Sequence, residues 1–281
     1  MALKDILVHV DNDERGALRA RLAVDLARRH EAHLTGLGVS GFTVVPSFVD
    51  AELPTEIVQA HIEASRVEAE AAGDSFRAAA DQAGIGVEWR VVEQPVADVA
   101  RVVALHARHA DLTVMGQPDP EADGRSLSLD IVERLLLDAG GPVLLIPYAG
   151  RFEVLGGHVM LAWNGSREAA RAVRDSLPFL AKGTQVTVLR VNPPGRDPGE
   201  RDIGGADIAV HLARHGLEVE VAHVVAKDMN VGDMILSRAA DAGADMIVMG
   251  AYGHSRLREM VLGGATRHIL QHMTVPVLMS H

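Results

Sequence analysis

The sequence predicts an α/β protein made of two copies of one unit, each an open sheet of five parallel strands with helices on both faces. Two observations carry that reading. The chain repeats itself: "DLTVMG" (111 to 116) lies over "DMIVMG" (245 to 250), and the register continues without a gap to "PVLLIP" (142 to 147) over "PVLMSH" (276 to 281). Within each copy, nearly all-apolar strands alternate with runs of helical periodicity, the pattern of a parallel sheet buried on both sides and joined by right-handed crossovers.

The elements follow in order. Each copy opens with a short apolar strand, polar residues able to cap a helix, and apolar positions at helical spacing: "ILVHVDNDERGALRARLAVDLARRH" (6 to 30) and "VMLAWNGSREAARAVRDSLPFLAKG" (159 to 183). "HLTGLGV" and "QVTVLRV" are the second strands. The first copy then inserts "PSFVDAELPTEIVQAHIEASRVEAEAAGDSFRAAADQAG", whose charged face and alanine-rich pattern predict a long exposed helix. The second copy has instead "NPPGRDPGERDIGG", a polar loop able to flex over a ligand. "PYAGRFEVLGG" (147 to 157) reads as the linker, which gives domains 1–149 and 150–281.

Composition excludes several functions. A net charge of -11 argues against a broad nucleic-acid surface, and 3% aromatic residues provide no stacking platform for single strands. No apolar run approaches the roughly 20 residues that span a bilayer, and "MALKDILVHVDND" lacks the features of a secretory signal, so the expected location is cytoplasmic. The absence of cysteine removes disulfides and thiolate metal sites.

Chemistry concentrates in "VMGAYGHSRLREMVLGGATRHIL" (248 to 270). Gly250 and Gly253 follow a strand, nine residues separate Gly253 from Gly263, and Gly263 and Gly264 open a helix. Glycines allow amides to converge on an anion, and a helix N-terminus adds unpaired amides and a favourable dipole. His254, Arg256, Arg258 and Arg267 add positive charge in an acidic protein. The repeat is an internal control. The first copy places Asp119 at Gly253, Leu129 at Gly263 and Asp130 at Gly264, yet keeps the strand before and the helix after. Those glycines therefore point to a ligand rather than to the fold, whereas Gly250 matches Gly116 and is explained by the fold alone.

The spacing G-x-x-G, nine residues, G, together with "DMIVMG" and "TVPVLM", resembles the universal stress protein (UspA) family, and the likeness covers both copies. The resemblance implies two tandem Rossmann-like domains that pair through their last strands as a pseudo-dimer, with adenine nucleotide (ATP) as ligand, at most slow hydrolysis, and a role in stress response or regulation. It implies a single nucleotide site in 150–281, with Ala162, Val191 and Met249 lining the adenine and ribose, and Gly250, Gly253, His254, Gly263, Gly264 and Thr266 around the phosphates. Gly264 replaces the family's usual Ser or Thr, and Asn164 replaces the first-strand acid that the first copy keeps as Asp11. Asn164 still accepts a hydrogen bond but carries no charge for a metal, which weakens the case for Mg²⁺. Copying the first repeat through Gly253→Asp and Gly263→Leu is expected to abolish ATP binding at nearly unchanged stability.

Other constellations are weaker. His211 with His215, and His268 with His272, stand at i,i+4 spacing but lack an evident third ligand and read as surface residues. No G-x-S-x-G elbow, Walker loop or G-x-G-x-x-G after the first strand is present, and no general base is positioned, so no catalytic residue is assigned. The competing class is a scaffold without nucleotide, whose sheet edges or inserted helix bind a protein partner. Further pairing into a homodimer is left open.

Overall fold

A computed structural model describes residues 3–42, 55–119, 127–152, 155–192, 205–227, 229–253 and 264–281. By contacts the chain divides into two compact units, residues 2–141 and 142–281.

The first unit contains β1 (Asp5–His9), α1 (Glu14–His30), β2 (His33–Phe42), α2 (Thr55–Ala83), β3 (Val87–Pro95), α3 (Val96–Ala107), β4 (Leu112–Gly116) and α4 (Leu129–Asp138). Its strands lie in the order β3-β2-β1-β4, all parallel. In β1 and β4, consecutive residues pointing to opposite faces are equally buried, so both sides of the sheet are covered. Asp13 caps α1 by accepting the Gly16 N–H at 2.6 Å. Asp111 accepts the Lys4 and Asp5 N–H groups and so ties the start of β4 to that of β1.

The inserted helix α2 differs from the exposed helix that its sequence predicts. Ala69, Ala72, Phe76 and Ala80, at helical spacing, are buried. Trp89 on β3 explains the inward face. Its indole lies over Gly36, Gly38 and Gly73, where an added Cβ would come within 2.5–2.7 Å of the ring, and over the Phe76 ring at 5.7 Å. Three glycines thus form the flat bed for one tryptophan.

The second unit contains β5 (Val143–Ile146), β6 (His158–Ala162), α5 (Arg167–Ser176), β7 (Gln185–Val191), α6 (Ala206–Arg214), β8 (Glu218–Val224), α7 (Val231–Asp241), β9 (Met246–Gly250), α8 (Ala265–His272) and β10 (Val277–Ser280). Strands β8-β7-β6-β9-β10 are parallel in that order. β5, the last strand of the first repeat, joins β10 in antiparallel register, Val277 facing Leu145 and Met279 facing Val143. The last strands of the two repeats therefore pair, and this is why the contact division falls at 141/142. Asp245 repeats the role of Asp111, accepting the Gly156, Gly157 and His158 N–H groups at 2.8, 2.8 and 3.0 Å.

Candidate functional site

In an open parallel sheet the ligand crevice lies beyond the carboxyl ends of the strands, where the winding reverses. In the second unit β6 is followed on one side by β7 and on the other by β9, so the reversal lies between β6 and β9. Ala162, the last residue of β6, is in register with both Leu189 and Met249. Ala162, Met249 and Gly250 thus end neighbouring strands at nearly one level, and Val191, two residues past Leu189, ends β7 beyond them. Met249 is buried, and the other three are half-buried.

The loop after β6 turns directly into α5. Asn164 is exposed, and its Oδ1 accepts the Ser166 N–H at 3.0 Å. Ser166 caps α5 by accepting the Ala169 N–H at 3.1 Å. This helix start packs against the end of β9. An added Cβ on Gly250 would lie 2.5 Å from the Glu168 carbonyl carbon and would also meet the Ala169 nitrogen. Gly250 is therefore required by a backbone approach, whereas at Gly116 the close neighbour is the Arg19 guanidinium.

Beyond Gly250, Tyr252 adopts φ 55°, a left-handed conformation unfavourable for a side chain of its size. Its N–H donates to the Thr266 hydroxyl at 3.2 Å, and Thr266 is buried. Thr266 thus holds the loop to α8 rather than facing outward. Gly253 returns to the β6 side, where an added Cβ would meet Ser166 Oγ at 3.0 Å and Glu168 Oε2 at 3.1 Å. Gly264 is the N-cap of α8, with no side-chain cap. Among the expected site residues, His254 and Gly263 lie outside the described residues, as do Arg256 and Arg258.

Sequence reasoning did not single out Glu168. Its side chain is 7% exposed, and its Oε1 accepts a hydrogen bond at 3.2 Å from Arg167, whose side chain is 94% exposed. Burial pushes the Glu168 carboxyl upward, but hydrogen bonds from its own backbone amide and from Ser166, with the charge of Arg167, outweigh it and hold the group below the usual carboxylate range.

The same positions in the first unit are filled differently. Asp119, at the Gly253 position, is ion-paired with Arg15, which stands at the Glu168 position. Arg19, at the Ala172 position and 4% exposed, donates from Nε to the His9 carbonyl and from Nη2 to Asp11, both at 2.6 Å. Its guanidinium lies against Gly116. His9, at the Ala162 position, is buried, and that burial lowers its pKa below 6.5, opposed by Asp11 and reinforced by Arg19. Charged side chains that satisfy one another occupy this crevice.

The paired histidines have local roles. His211 and His215 meet edge-on at 4.9 Å, and His268 and His272 stack at 4.3 Å. His268 also bonds Asp233 through Nε2 at 2.7 Å and Asn230 through Nδ1 at 2.9 Å, which links α8 to α7. Among the described residues, no three His, Asp or Glu groups gather as a metal site, and no helix is long and apolar enough to cross a membrane.

Comparison with known proteins agrees with the duplicated architecture. The profile of the Universal stress protein family matches residues 2–147 and 157–281. A universal stress protein, Slr1230, from Synechocystis sp. is 28% identical over 153 residues, which is 52% of this chain and 49% of that protein. The chain thus spans about half the length of this curated relative. Among solved structures, a universal stress protein from Archaeoglobus fulgidus superposes with a TM-score of 0.75 at 18% identity, over 98% of this chain and 95% of that one. A functionally unknown protein from Pseudomonas aeruginosa gives 0.56 at 15% identity, over 99% and 92%. At these identities the structures establish likeness of fold.

Proposed function

Because the chain belongs to the universal stress protein family, we propose that it binds an adenine nucleotide, ATP, at one site in the second repeat and serves a cytoplasmic stress-response or regulatory role. The first repeat is kept for pairing and stability. The observation that carries this reading is the contrast between the two crevices. Arg19 and the Arg15–Asp119 pair fill the first, whereas Ala172 and Gly253 stand at the matching places in the second. In this reading the loop that carries a carboxylate at 119 in the first repeat presents bare backbone at 253 in the second, which favours a ligand there.

In this reading Ala162, Val191 and Met249 contact the adenine and ribose from the strand ends, and Asn164 hydrogen-bonds the ribose. The amides of Gly250, Gly253, Gly263 and Gly264, with His254, take the phosphates, and Thr266 supports the loop from beneath. Any turnover is at most slow in this reading. A scaffold that binds no nucleotide is the second reading, and the buried acid Glu168 beside Gly253 is what favours it.

Isothermal titration of the purified chain with ATP, together with analysis of small molecules released on denaturation, tests the proposal. Gly263→Leu is expected to remove the binding. An absence of adenine nucleotide in both measurements, up to millimolar ATP, overturns it.

A further inference from the structure

Among its described residues, the β6–β9 crevice contains a charge that a nucleotide site does not need. Glu168 is buried at the start of α5, with its Oε2 and the Ser166 hydroxyl on one side of the crevice and the Gly253 α-carbon on the other. Anything drawn to the amides near Gly253 passes within reach of this carboxylate. Among the described residues its cationic contact is Arg167, which lies almost wholly in solvent and is strongly screened.

The repeat shows that neither the fold nor the helix start requires an acid here. Arg15 holds the same position in the first unit, likewise one residue ahead of a close-packed small residue, Gly16 there and Ala169 here. The charge reverses together with its partner across the crevice, Arg15 facing Asp119 and Glu168 facing Gly253. Where the first unit has an internally neutral pair, the second keeps one negative charge facing a residue without a side chain.

We propose that Glu168 is a specificity-determining residue of the second crevice: it opposes phosphate charge, so the site favours adenine ligands of low charge over the free triphosphate. The inference rests on the nucleotide reading above and identifies the ligand's charge class. A ribose hydroxyl, which is a donor, suits a carboxylate acceptor, whereas a phosphate oxygen beside it adds like charge in a partly dehydrated place. The group is ionised at neutral pH because its hydrogen bonds hold its pKa low.

Affinities of adenosine, AMP and ATP are compared by titration in EDTA-containing buffer for the wild-type chain, Glu168→Gln and Glu168→Met, with a thermal melt of each variant as a folding control. The gain on removing the charge is expected to rise with phosphate number: none for adenosine, a few-fold for AMP and about tenfold or more for ATP. An equal change for all three ligands, no change, or a loss of ATP affinity overturns it while leaving the nucleotide site standing. If the wild type binds none of the three, the nucleotide reading fails and this inference fails with it, whatever the variants do.

Discussion

Replacing Gly253 by Asp copies into the second repeat the residue that the first repeat carries at this position, and the structure changes what that substitution should do. On sequence alone it should remove binding and leave stability nearly unchanged. Yet the new Cβ would stand 3.1 Å from Glu168 Oε2, where Asp119 of the first unit meets Arg15 instead. Two carboxylates about 4 Å apart at an effective dielectric near 20 repel by about 4 kcal/mol. Gly253 is half-buried, so the new side chain can turn partly toward solvent or take up a proton, and the expected net cost is about 1–3 kcal/mol. That lowers the melting temperature of the second unit by about 2–12 °C. The penalty has a definite pH dependence. An acid whose folded pKa is raised binds more protons folded than unfolded, so the destabilisation is full at pH 7 and shrinks as the pH falls toward 4. Adding Glu168→Arg recreates the first unit's pair and should recover most of the loss. A double-mutant cycle by denaturation of the full chain reads the coupling, expected at about 1 kcal/mol or more in favour of the pair. A Gly253→Asp chain as stable as the wild type at pH 7, with no coupling to position 168, refutes the reasoning.

Three further outcomes follow from the same geometry. Asp245→Ala leaves three backbone N–H groups at the entrance to β6 without their acceptor, which should cost about 1–3 kcal/mol in urea denaturation, with Asp245→Asn milder. Gly250→Ala drives a methyl into the backbone of Glu168 and Ala169 and should cost about 3 kcal/mol, more than Gly116→Ala, whose methyl meets a movable guanidinium end. His9 is buried with its pKa below the unfolded value of 6.5, so the unfolded chain binds the extra proton and stability falls as pH drops through that value, by up to about 1.4 kcal/mol per pH unit for one full proton. His9→Ala should weaken the first unit at pH 7 through lost packing, yet flatten this acid-side slope in melts between about pH 5 and 7.

What could be read from the sequence was what depends on local periodicity. The repeat and the alternation of strand and helix within each copy follow from runs of apolar residues and from register, while Ala162, Val191 and Met249 were indicated by the family resemblance. The inward face of α2 could not be read this way, because it depends on Trp89 of β3 meeting Gly36 and Gly38 of β2 and Gly73 of α2. Nor could the grouping of β5 with the second unit, since an antiparallel pair with β10 leaves the apolar pattern of β5 unchanged. Thr266 was legible as a residue of the loop region but not in its role, which depends on the Tyr252 N–H reaching back to it. Glu168 was missed although a signal existed. Aligning the repeats shows Arg15 against Glu168 and Asp119 against Gly253, a paired change of charge within one chain, and such a change reports contact across a crevice.

That paired change also shows why glycine alone is too weak a criterion for the site. A glycine at 253 permits a turn whether or not a ligand is present. The five facing positions say more when taken together. In the first unit His9, Asp11, Arg15, Arg19 and Asp119 form a set that is neutral when His9 is unprotonated, and their charged groups meet one another. In the second, Ala162, Asn164, Glu168, Ala172 and Gly253 retain one neutral polar group and one negative charge. Buried polar groups that are satisfied by neighbours close a site, whereas small side chains beside a single acid leave room for donors supplied from outside. A ligand in the second set therefore does best with hydroxyl or amine donors toward Glu168, and each phosphate it brings to the Gly253 amide adds like charge near that acid. This added charge makes the response to Glu168→Gln depend on phosphate number rather than on adenine.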